Sequence, residues 1–244
     1  MVKFITILLA NAALETFPSE LVKDLEIRQY LSKLKKKPTE IILDANYHSN
    51  FMKSLPDAEN RGRPDITHFA LLSVFGSILA REKRIKVLIH TCDNKIIFLN
   101  SEIRLPKSLE RFNGLILQLL KHKRIPPASN EPLMELSESS LEELIKKLRL
   151  EHDVIIEFSV EGKKCTALEY SELIHYKSVN PLLIFGAFPH GHIKEMQKNM
   201  VDHKIAIYKD GLDLFSVIAQ ILGSIHTLEE ESIVSSSPKS EKVS

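Results

Sequence analysis

Short, nearly uninterrupted apolar runs recur along this chain and restrict the folds open to it. They occupy residues 4–10, 40–44, 154–158, 182–185 and 205–207. Each run is short for a helix and lacks the alternating polar residues of a strand with one face in water. Strands of this kind are typical of a sheet that is covered on both faces. Because helical patterns separate several of the runs, the sequence predicts an α/β fold.

Helical spacing of apolar residues fills most of the intervening segments. It predicts helices over residues 18–36, 66–81, 108–121, 140–150 and 214–228. Residues 85–91 and 95–99 flank a short polar turn and predict a β-hairpin, which we interpret, with the helix after it, as an insertion specific to this kind of chain.

The last residues of the chain change in character. Three glutamates follow Leu228, and the remainder is rich in Ser, Lys and Glu without a hydrophobic period. We therefore predict a single domain over residues 1–228, which includes a basic region at about 81–124, and a flexible tail over residues 229–244.

The six residues Arg61-Gly62-Arg63-Pro64-Asp65-Ile66 combine a charged turn with a helix start. Pro64 suits the first helical position and holds Arg63 extended just before it. Asp65 lies in the first turn, where free N–H groups favour a carboxylate, and within reach of the Arg63 guanidinium. Two arginines on a rigid support suit phosphate binding. An ordinary surface helix with both arginines in water fits the same six residues.

Charge is unevenly distributed, although the net charge is only +1. Residues 81–124 hold eleven lysines and arginines against four acidic residues, whereas residues 131–157 hold eight acidic residues against three basic ones. A basic region balanced by an acidic one is compatible with a face that binds phosphates. Two solvated helix faces would give the same pattern.

Composition excludes several classes of protein. The two cysteines, Cys92 and Cys165, are too few for a disulfide framework and have no metal-ligand spacing with the histidines. The apolar run after Lys3 has the composition of a signal peptide, but it equally suits a buried first strand, and we interpret it as a strand. No run reaches the length of a transmembrane helix. We expect a cytoplasmic protein without a metal or a membrane partner.

Three further segments, taken with the Arg61 to Ile66 corner, carry a resemblance to a known family. They are SEIRLPKSLERFNGL at residues 101–115, LLIFGAFPHG at 182–191 and KIAIYKDGL at 204–212. In this order they resemble the Emg/Nep family, which are ribosome-biogenesis methyltransferases of the SPOUT class, over about residues 3–222. The resemblance implies a SPOUT-type α/β fold with a C-terminal trefoil knot, a homodimer, and a protein of archaeal type. It also implies S-adenosylmethionine as the methyl donor and N(1) of a pseudouridine in small-subunit ribosomal RNA as the acceptor.

The resemblance also implies roles for single residues. The cofactor-binding positions are Ile156, Gly186, Gly191, Ile207, Tyr208, Lys209, Asp210, Gly211 and Leu212. The RNA-binding positions are Arg63, Arg104, Lys107 and Arg111. Arg63 and Asp65 form the catalytic pair, in which we interpret Asp65 as the residue that orients Arg63. We assign no catalysis to His190 or His192, which merely lie near the glycines.

Two alternatives share the same scaffold. One is a ribosome-assembly factor that binds the RNA without catalysis, and the other is a SPOUT methyltransferase with a different nucleoside target. Cofactor binding separates the first alternative from an enzyme, and matched RNA substrates separate the second. We expect a cytoplasmic location, or a nucleolar one in a eukaryote, and contacts with ribosomal assembly proteins.

Overall fold

The computed structural model of the protein describes residues 2–193 and 196–236. Eight strands of this part of the chain form one sheet in the order β4-β5-β3-β2-β1-β7-β6-β8. The strands are β1 (Ile5–Ala12), β2 (Ile85–Thr91), β3 (Lys95–Leu99), β4 (Arg124–Ile125), β5 (Met134–Glu138), β6 (Val154–Lys164), β7 (Pro181–Gly186) and β8 (His203–Ala206). Five neighbouring strands are mutually parallel, namely β2, β1, β7, β6 and β8. The sheet continues beyond β2 with antiparallel pairs, through β3, β5 and β4.

Eight α-helices accompany the sheet in the same part of the chain. They are α1 (Leu25–Leu34), α2 (Ala45–Met52), α3 (Pro64–Gly76), α4 (Ile78–Arg81), α5 (Leu109–His122), α6 (Leu141–Arg149), α7 (Ala167–Lys177) and α8 (Leu214–Ser236). Within the described ranges, none of the helices is long and apolar enough to cross a membrane.

The central strand β1 explains why the sheet is covered on both sides. Ile7 and Leu9 pack in one cluster with α3 and α8, whereas Leu8 and Ala10 pack in a second cluster with α6. All four residues are fully buried. The prediction of an α/β sheet with two covered faces is therefore confirmed, as are the apolar strands near residues 4–10, 154–158, 182–185 and 205–207.

The apolar run at residues 40–44 is not a strand of the sheet. A short 3-10 helix covers Pro38–Glu40, and Ile42 forms an isolated antiparallel bridge with Thr16. Leu43 is buried in a separate cluster with Phe17 and Ile27. The prediction was wrong because an apolar run can be buried outside a sheet as well as in one. Contacts with residues distant in sequence determine which of the two occurs.

The predicted hairpin at residues 85–91 and 95–99 is confirmed, since β2 and β3 pair antiparallel. Its interpretation as an insertion was wrong for β2. That strand pairs in parallel register with β1, from Ile5 opposite Ile85 to Leu9 opposite Ile89, and so belongs to the middle of the sheet.

The end of the chain also differs from expectation. Helix α8 continues to Ser236 rather than ending at Leu228. Glu229 is buried and accepts two hydrogen bonds from the Arg84 guanidinium, at 2.7 and 2.8 Å. Residues 229–236 are therefore helical and not part of a tail. The remainder of the predicted tail, 237–244, lies outside the described residues.

Candidate functional site

A cavity of about 460 Å³ opens where β6, β7 and β8 end at the same edge of the sheet. Ligands in α/β proteins bind at this edge, beyond the carboxyl ends of the strands. The lining comes mainly from residues 157–160 within β6, from residues 185–186 and 188–193 at and after the end of β7, and from residues 205–208 and 210–214 at and after the end of β8. Seven of the nine predicted cofactor residues line it, namely Gly186, Gly191, Ile207, Tyr208, Asp210, Gly211 and Leu212.

Two predicted cofactor positions do not line this cavity. Ile156 is fully buried near the start of β6, opposite Leu183. Lys209 is exposed, with its ammonium 3.8 Å from the Asp210 carboxylate. Ile156 precedes the residues of β6 that line the cavity, which begin at Glu157, and its assignment to the cofactor stays a prediction.

Glu157 is a lining residue that the sequence reasoning missed. Its side chain is almost completely buried, and the Lys204 ammonium lies 3.3 Å from its carboxylate. Burial raises the pKa of Glu157, while Lys204 acts in the opposite direction. A single acidic residue in a continuous apolar strand was a visible signal, since a carboxylate is seldom buried without a partner.

The two glycines of the cavity shape its wall in different ways. Gly191 has φ +88°, a conformation that side-chain-bearing residues rarely adopt, and no atom of the residues that the structure describes lies within 4 Å of the place its Cβ would take. A Cβ at Gly186 would lie 2.6 Å from Cζ of Phe188. The main chain is therefore open to a ligand at Gly191, whereas at Gly186 it is closely packed against Phe188.

Arg63 stands at the rim of this cavity, at the start of α3. Its Nε and Nη2 donate to the two carboxylate oxygens of Asp65, both at 2.8 Å. Pro64 occupies the first helical position, and the Arg63 amide donates to the Ala13 carbonyl at 3.0 Å. The predicted clamp of Arg63 by Asp65 is confirmed, and it fixes the direction of a guanidinium that remains partly exposed.

Arg61 does not share this role. Its Nε and Nη2 donate to the Glu15 carboxylate at 2.7 and 2.5 Å, and the Glu15 side chain is buried. Removing one partner of such a buried pair would leave an uncompensated charge. The expectation that both arginines of the corner are available for phosphate was wrong for Arg61, because its charge is already neutralised inside the protein.

The basic region divides into paired and unpaired residues. Lys83, Arg84, Lys95 and Arg124 form ion pairs with nearby carboxylates. In contrast, Arg104, Lys107 and Arg111 are exposed and have no ion-pair partner among the residues the structure describes. We call these three residues the basic surface. Their charges are available to an anionic partner.

His68 links the basic surface to the helix that carries Arg63. Its Nε2 donates to the Pro106 carbonyl at 2.7 Å, and its ring stacks on Phe112 of α5 with centroids 4.6 Å apart. His68 is fully buried one turn beyond Asp65. This contact holds the segment from Arg104 to Lys107 beside the first turns of α3, so that the predicted RNA residues lie in one region. A histidine on the apolar face of the predicted helix was the signal for it.

The histidines near the cavity have structural contacts. The His190 amide donates to the Asn60 side chain at 3.2 Å, and His192 Nδ1 lies 3.8 Å from the Glu161 carboxylate. Both residues line the cavity. Across residues 2–193 and 196–236, no group of three or more potential metal ligands is assembled.

Comparison with known proteins places these features in a family. The family model described as "EMG1/NEP1 methyltransferase" matches residues 7–226. The chain is 37% identical over 222 residues to "Ribosomal RNA small subunit methyltransferase Nep1" of Sulfurisphaera tokodaii, covering 90% of this chain and 95% of the relative. It is 32% identical over 225 residues to the protein of the same name from Pyrococcus furiosus, covering 92% and 97%.

A solved structure agrees with these sequence relatives. The crystal structure of Archaeoglobus fulgidus Nep1 bound to S-adenosylhomocysteine superposes with a TM-score of 0.76 at 27% identity, covering 94% of this chain and all of that one. The mixed α/β fold with its eight-stranded sheet therefore matches that of this Nep1 structure. This chain therefore belongs to the EMG1/NEP1 methyltransferase family.

Proposed function

We propose that this protein uses S-adenosylmethionine to methylate N(1) of a pseudouridine in small-subunit ribosomal RNA. The observation that carries the proposal is the cavity at the ends of β6, β7 and β8, with the clamped Arg63 at its rim. The relatives named as small-subunit ribosomal RNA methyltransferases support the reaction and the class of substrate. The relative bound to S-adenosylhomocysteine supports the methyl donor.

The residues of the cavity fit a nucleoside cofactor. A volume of about 460 Å³ is in the usual range for such ligands. Gly191 leaves its main chain open, and Gly186 with residues 207–212 supplies further backbone groups for hydrogen bonds. When bound there, S-adenosylmethionine supplies a methyl group on a positively charged sulfur.

Arg63 is the residue we assign to catalysis. Loss of the N(1) proton to water, before or during attack, would place negative charge on the base, and the bond from N(1) to the methyl carbon would form as the bond from that carbon to the sulfonium sulfur breaks. A fixed cation near that charge lowers the barrier, because no reorganisation is needed during the reaction. Asp65 is a positioning residue, since both of its oxygens already accept hydrogen bonds from Arg63.

The basic surface of Arg104, Lys107 and Arg111 is assigned to the RNA backbone. Its charges are exposed and unpaired among the described residues, and His68 keeps part of it beside α3. Phosphate contacts fix the register of an RNA without reading its sequence. The target base would be splayed out of a single-stranded loop to reach the cavity.

The finer fold assignment is a SPOUT methyltransferase with a C-terminal trefoil knot. Support comes from β8, where Ile205 pairs with both Phe158 and Lys163 of β6. The four residues between these two partners, 159–162, bulge out of the pairing with β8, and a Cβ at Gly162 would lie only 2.4 Å from the Ile205 carbonyl carbon. This close packing joins two segments in the C-terminal half of the chain, which is where the resemblance puts the knot.

The homodimer belongs to the same proposal. Phe69 of α3 and Phe215 of α8 contact each other with centroids 6.2 Å apart, and both are more than two-fifths exposed, as is Leu212. Exposed apolar groups on adjacent helices are typical of a protein interface. Sedimentation analysis tests this: a dimer that dissociates in Phe215→Glu supports it, and a monomeric natural protein contradicts it.

We propose a cytoplasmic location, nucleolar in a eukaryote, and contacts with ribosomal assembly proteins.

Two measurements on the natural protein test the function. Calorimetry should detect binding of S-adenosylhomocysteine, and a labelled methyl group should pass from S-adenosylmethionine to small-subunit ribosomal RNA. Cofactor binding without methyl transfer to that RNA would indicate that the substrate is an RNA of another kind. Absence of cofactor binding would contradict the proposal and favour a non-catalytic assembly factor.

A further inference from the structure

A second cavity, of about 270 Å³, lies beside the first one at the carboxyl ends of β1 and β2. We call it the Asn11 cavity, after the residue at the end of β1 that lines it. Phe188 and His192 border both cavities, so the segment between them is the shared wall. The extended corner around Gly62 contributes Arg61 to the Asn11 cavity and Arg63 to the first cavity.

The backbone around the Asn11 cavity is held in unusual conformations. Asn11 has φ 50° and Asp57 has φ 53°, and both line the cavity. The register of β1 with β2 also shifts between Leu9 and Ala12, which redirects the Asn11 side chain. Left-handed residues other than glycine cost free energy and concentrate at ligand sites.

Hydrogen bonds fix the polar groups of this cavity in place. His90 is fully buried, with Nδ1 3.1 Å from the Asn11 side-chain oxygen and Nε2 3.1 Å from that of Asn94. The Asn60 side chain accepts from the His190 amide, which ties the cavity to the shared wall. A rigid set of amide and imidazole groups can distinguish ligands by their pattern of donors and acceptors.

The charges of the Asn11 cavity favour a ligand without a phosphate. Arg61 is neutralised by its two hydrogen bonds to buried Glu15, and the Asp57 carboxylate also lies in the lining. An anion would therefore meet no uncompensated positive charge from Arg61. Amide groups on one side and the Phe188 ring on another suit an uncharged heteroaromatic base, which combines polar edges with flat apolar faces.

We propose that the Asn11 cavity binds the base of a nucleotide next to the methylated one. This inference rests on the proposed function, because it requires the RNA target to occupy the first cavity. The shared wall of Phe188 and His192 places the two cavities side by side, and single-stranded RNA presents neighbouring bases that can be separated in this way. The base would stack on Phe188 and meet the side chains of Asn11 and Asn60.

The test combines a filled cavity with RNA that lacks one base. Cys92 lines the Asn11 cavity at the exposed turn after β2, so Cys92→Tyr should fill it and Cys92→Ser should leave it open. Oligonucleotides containing an abasic residue at each position near the target are bound to all three proteins. One flanking abasic residue should weaken binding about tenfold in the natural protein and in Cys92→Ser. The same residue should cost nothing in Cys92→Tyr.

An equal abasic penalty in Cys92→Tyr and the natural protein would overturn the inference, as would the absence of any flanking penalty. A penalty removed only at the target position would also overturn it, because the cavity would then hold the target itself. Methyl transfer by the natural protein to the intact oligonucleotide is measured in parallel. If that transfer fails, the proposed function is contradicted. If transfer is normal but Cys92→Tyr does not remove the flanking abasic penalty, only the assignment of a base to the Asn11 cavity is contradicted.

Thiol alkylation gives a second measurement on a protein without an added bulky residue. In a Cys165→Ser background, Cys92 is the single cysteine of the chain. The intact oligonucleotide should slow alkylation of Cys92, and the oligonucleotide with the critical abasic residue should not. Equal protection by both RNAs would contradict occupation of the Asn11 cavity by that base.

Discussion

Single side chains of the site act through specific partners rather than through net charge. Arg63 and Arg61 are two residues apart, yet one points a clamped guanidinium at the cavity and the other is neutralised by buried Glu15. The clamp of Arg63 by Asp65 could be predicted, because proline, arginine and aspartate are neighbours and local geometry decides their contact. The pair with Glu15 spans 46 residues of sequence, so no local pattern reveals it.

The role of Asp65 is tested by Asp65→Asn. The amide keeps the shape of the carboxylate but loses the charge and one acceptor, so the Arg63 guanidinium is no longer fixed. We expect RNA affinity and methylation to fall together, by about tenfold, with little change in stability. RNA affinity and single-turnover rate are measured on the same variant. Normal affinity with a collapsed rate would instead identify Asp65 as a proton acceptor.

His48 gives the stability of the protein a dependence on pH. Its Nδ1 accepts a hydrogen bond from the Asp44 amide at 2.9 Å and must therefore be unprotonated. Burial lowers the pKa of His48 below 6.5, and the Asp44 carboxylate only partly opposes this. The unfolded chain thus binds a proton more readily than the folded one. The contribution of His48 to the free energy of unfolding is complete above about pH 6.5 and is lost as the pH falls towards the folded pKa.

Urea denaturation of the natural protein and of His48→Phe across about pH 7 to pH 5 measures this contribution. Phenylalanine keeps the ring packing against Phe17 but cannot accept the proton. The variant should lose less stability on acidification than the natural protein. Parallel losses in the two proteins would show that other groups cause the acid dependence.

At the level of elements, most strands could be predicted from the sequence, whereas their place in the sheet and the end of the last helix could not. The runs that became β1, β6, β7 and β8 are buried on both faces, so continuous apolar sequence was sufficient to find them. The run at residues 40–44 has the same composition, yet it packs in a separate cluster with Phe17 and Ile27. The end of α8 was missed because the partner of Glu229 is Arg84, 145 residues earlier in the chain.

The close packing of β6 against β8 depends on Gly162. A Cβ there would lie 2.4 to 2.7 Å from the backbone of Ile205, which cannot move without disrupting β8. Gly162→Ala should therefore reduce the free energy of unfolding by about 2 kcal/mol or more, as overpacking does in other cores. The matched control is Gly114→Ala in α5, where no atom of the described ranges lies within 4 Å of the added Cβ, so alanine should be neutral or slightly stabilising. Equal stabilities of the two variants would contradict the close contact between Gly162 and Ile205.

At the level of the whole molecule, ion pairs determine which basic residues are available to a partner. Four residues of the basic region are held in ion pairs, whereas the three of the basic surface, together with Arg81, Lys86, Lys121 and Lys123, have no ion-pair partner in the described part of the chain. The sequence revealed the excess of positive charge over residues 81–124, but not which residues are free, because pairing depends on the folded chain. The cavity was predicted through its glycines and the segment from Ile207 to Leu212, whereas Glu157 and His68 emerged from the structure.

Arg111 tests whether the basic surface contacts RNA phosphates. Arg111→Gln should weaken RNA binding and reduce the slope of log affinity against log salt by about 0.7, the effect of one phosphate contact with single-stranded RNA. Lys121→Gln is the control, since Lys121 is exposed on the same helix about 15 Å away. The slope should be unchanged in the control. An unchanged slope in Arg111→Gln would remove that residue from the RNA contacts.

The most direct test of the proposed function is methyl transfer to two oligonucleotides that differ only in one nucleoside. Both match the small-subunit ribosomal RNA segment that the protein modifies, and one carries pseudouridine where the other carries uridine. N(1) of uridine is bonded to the ribose, whereas N(1) of pseudouridine bears a proton and can accept a methyl group. Labelled methyl should appear at N(1) of the pseudouridine and be absent from the uridine oligonucleotide. Equal methylation of the two oligonucleotides, or none of the pseudouridine by a protein that binds the cofactor, would contradict the account.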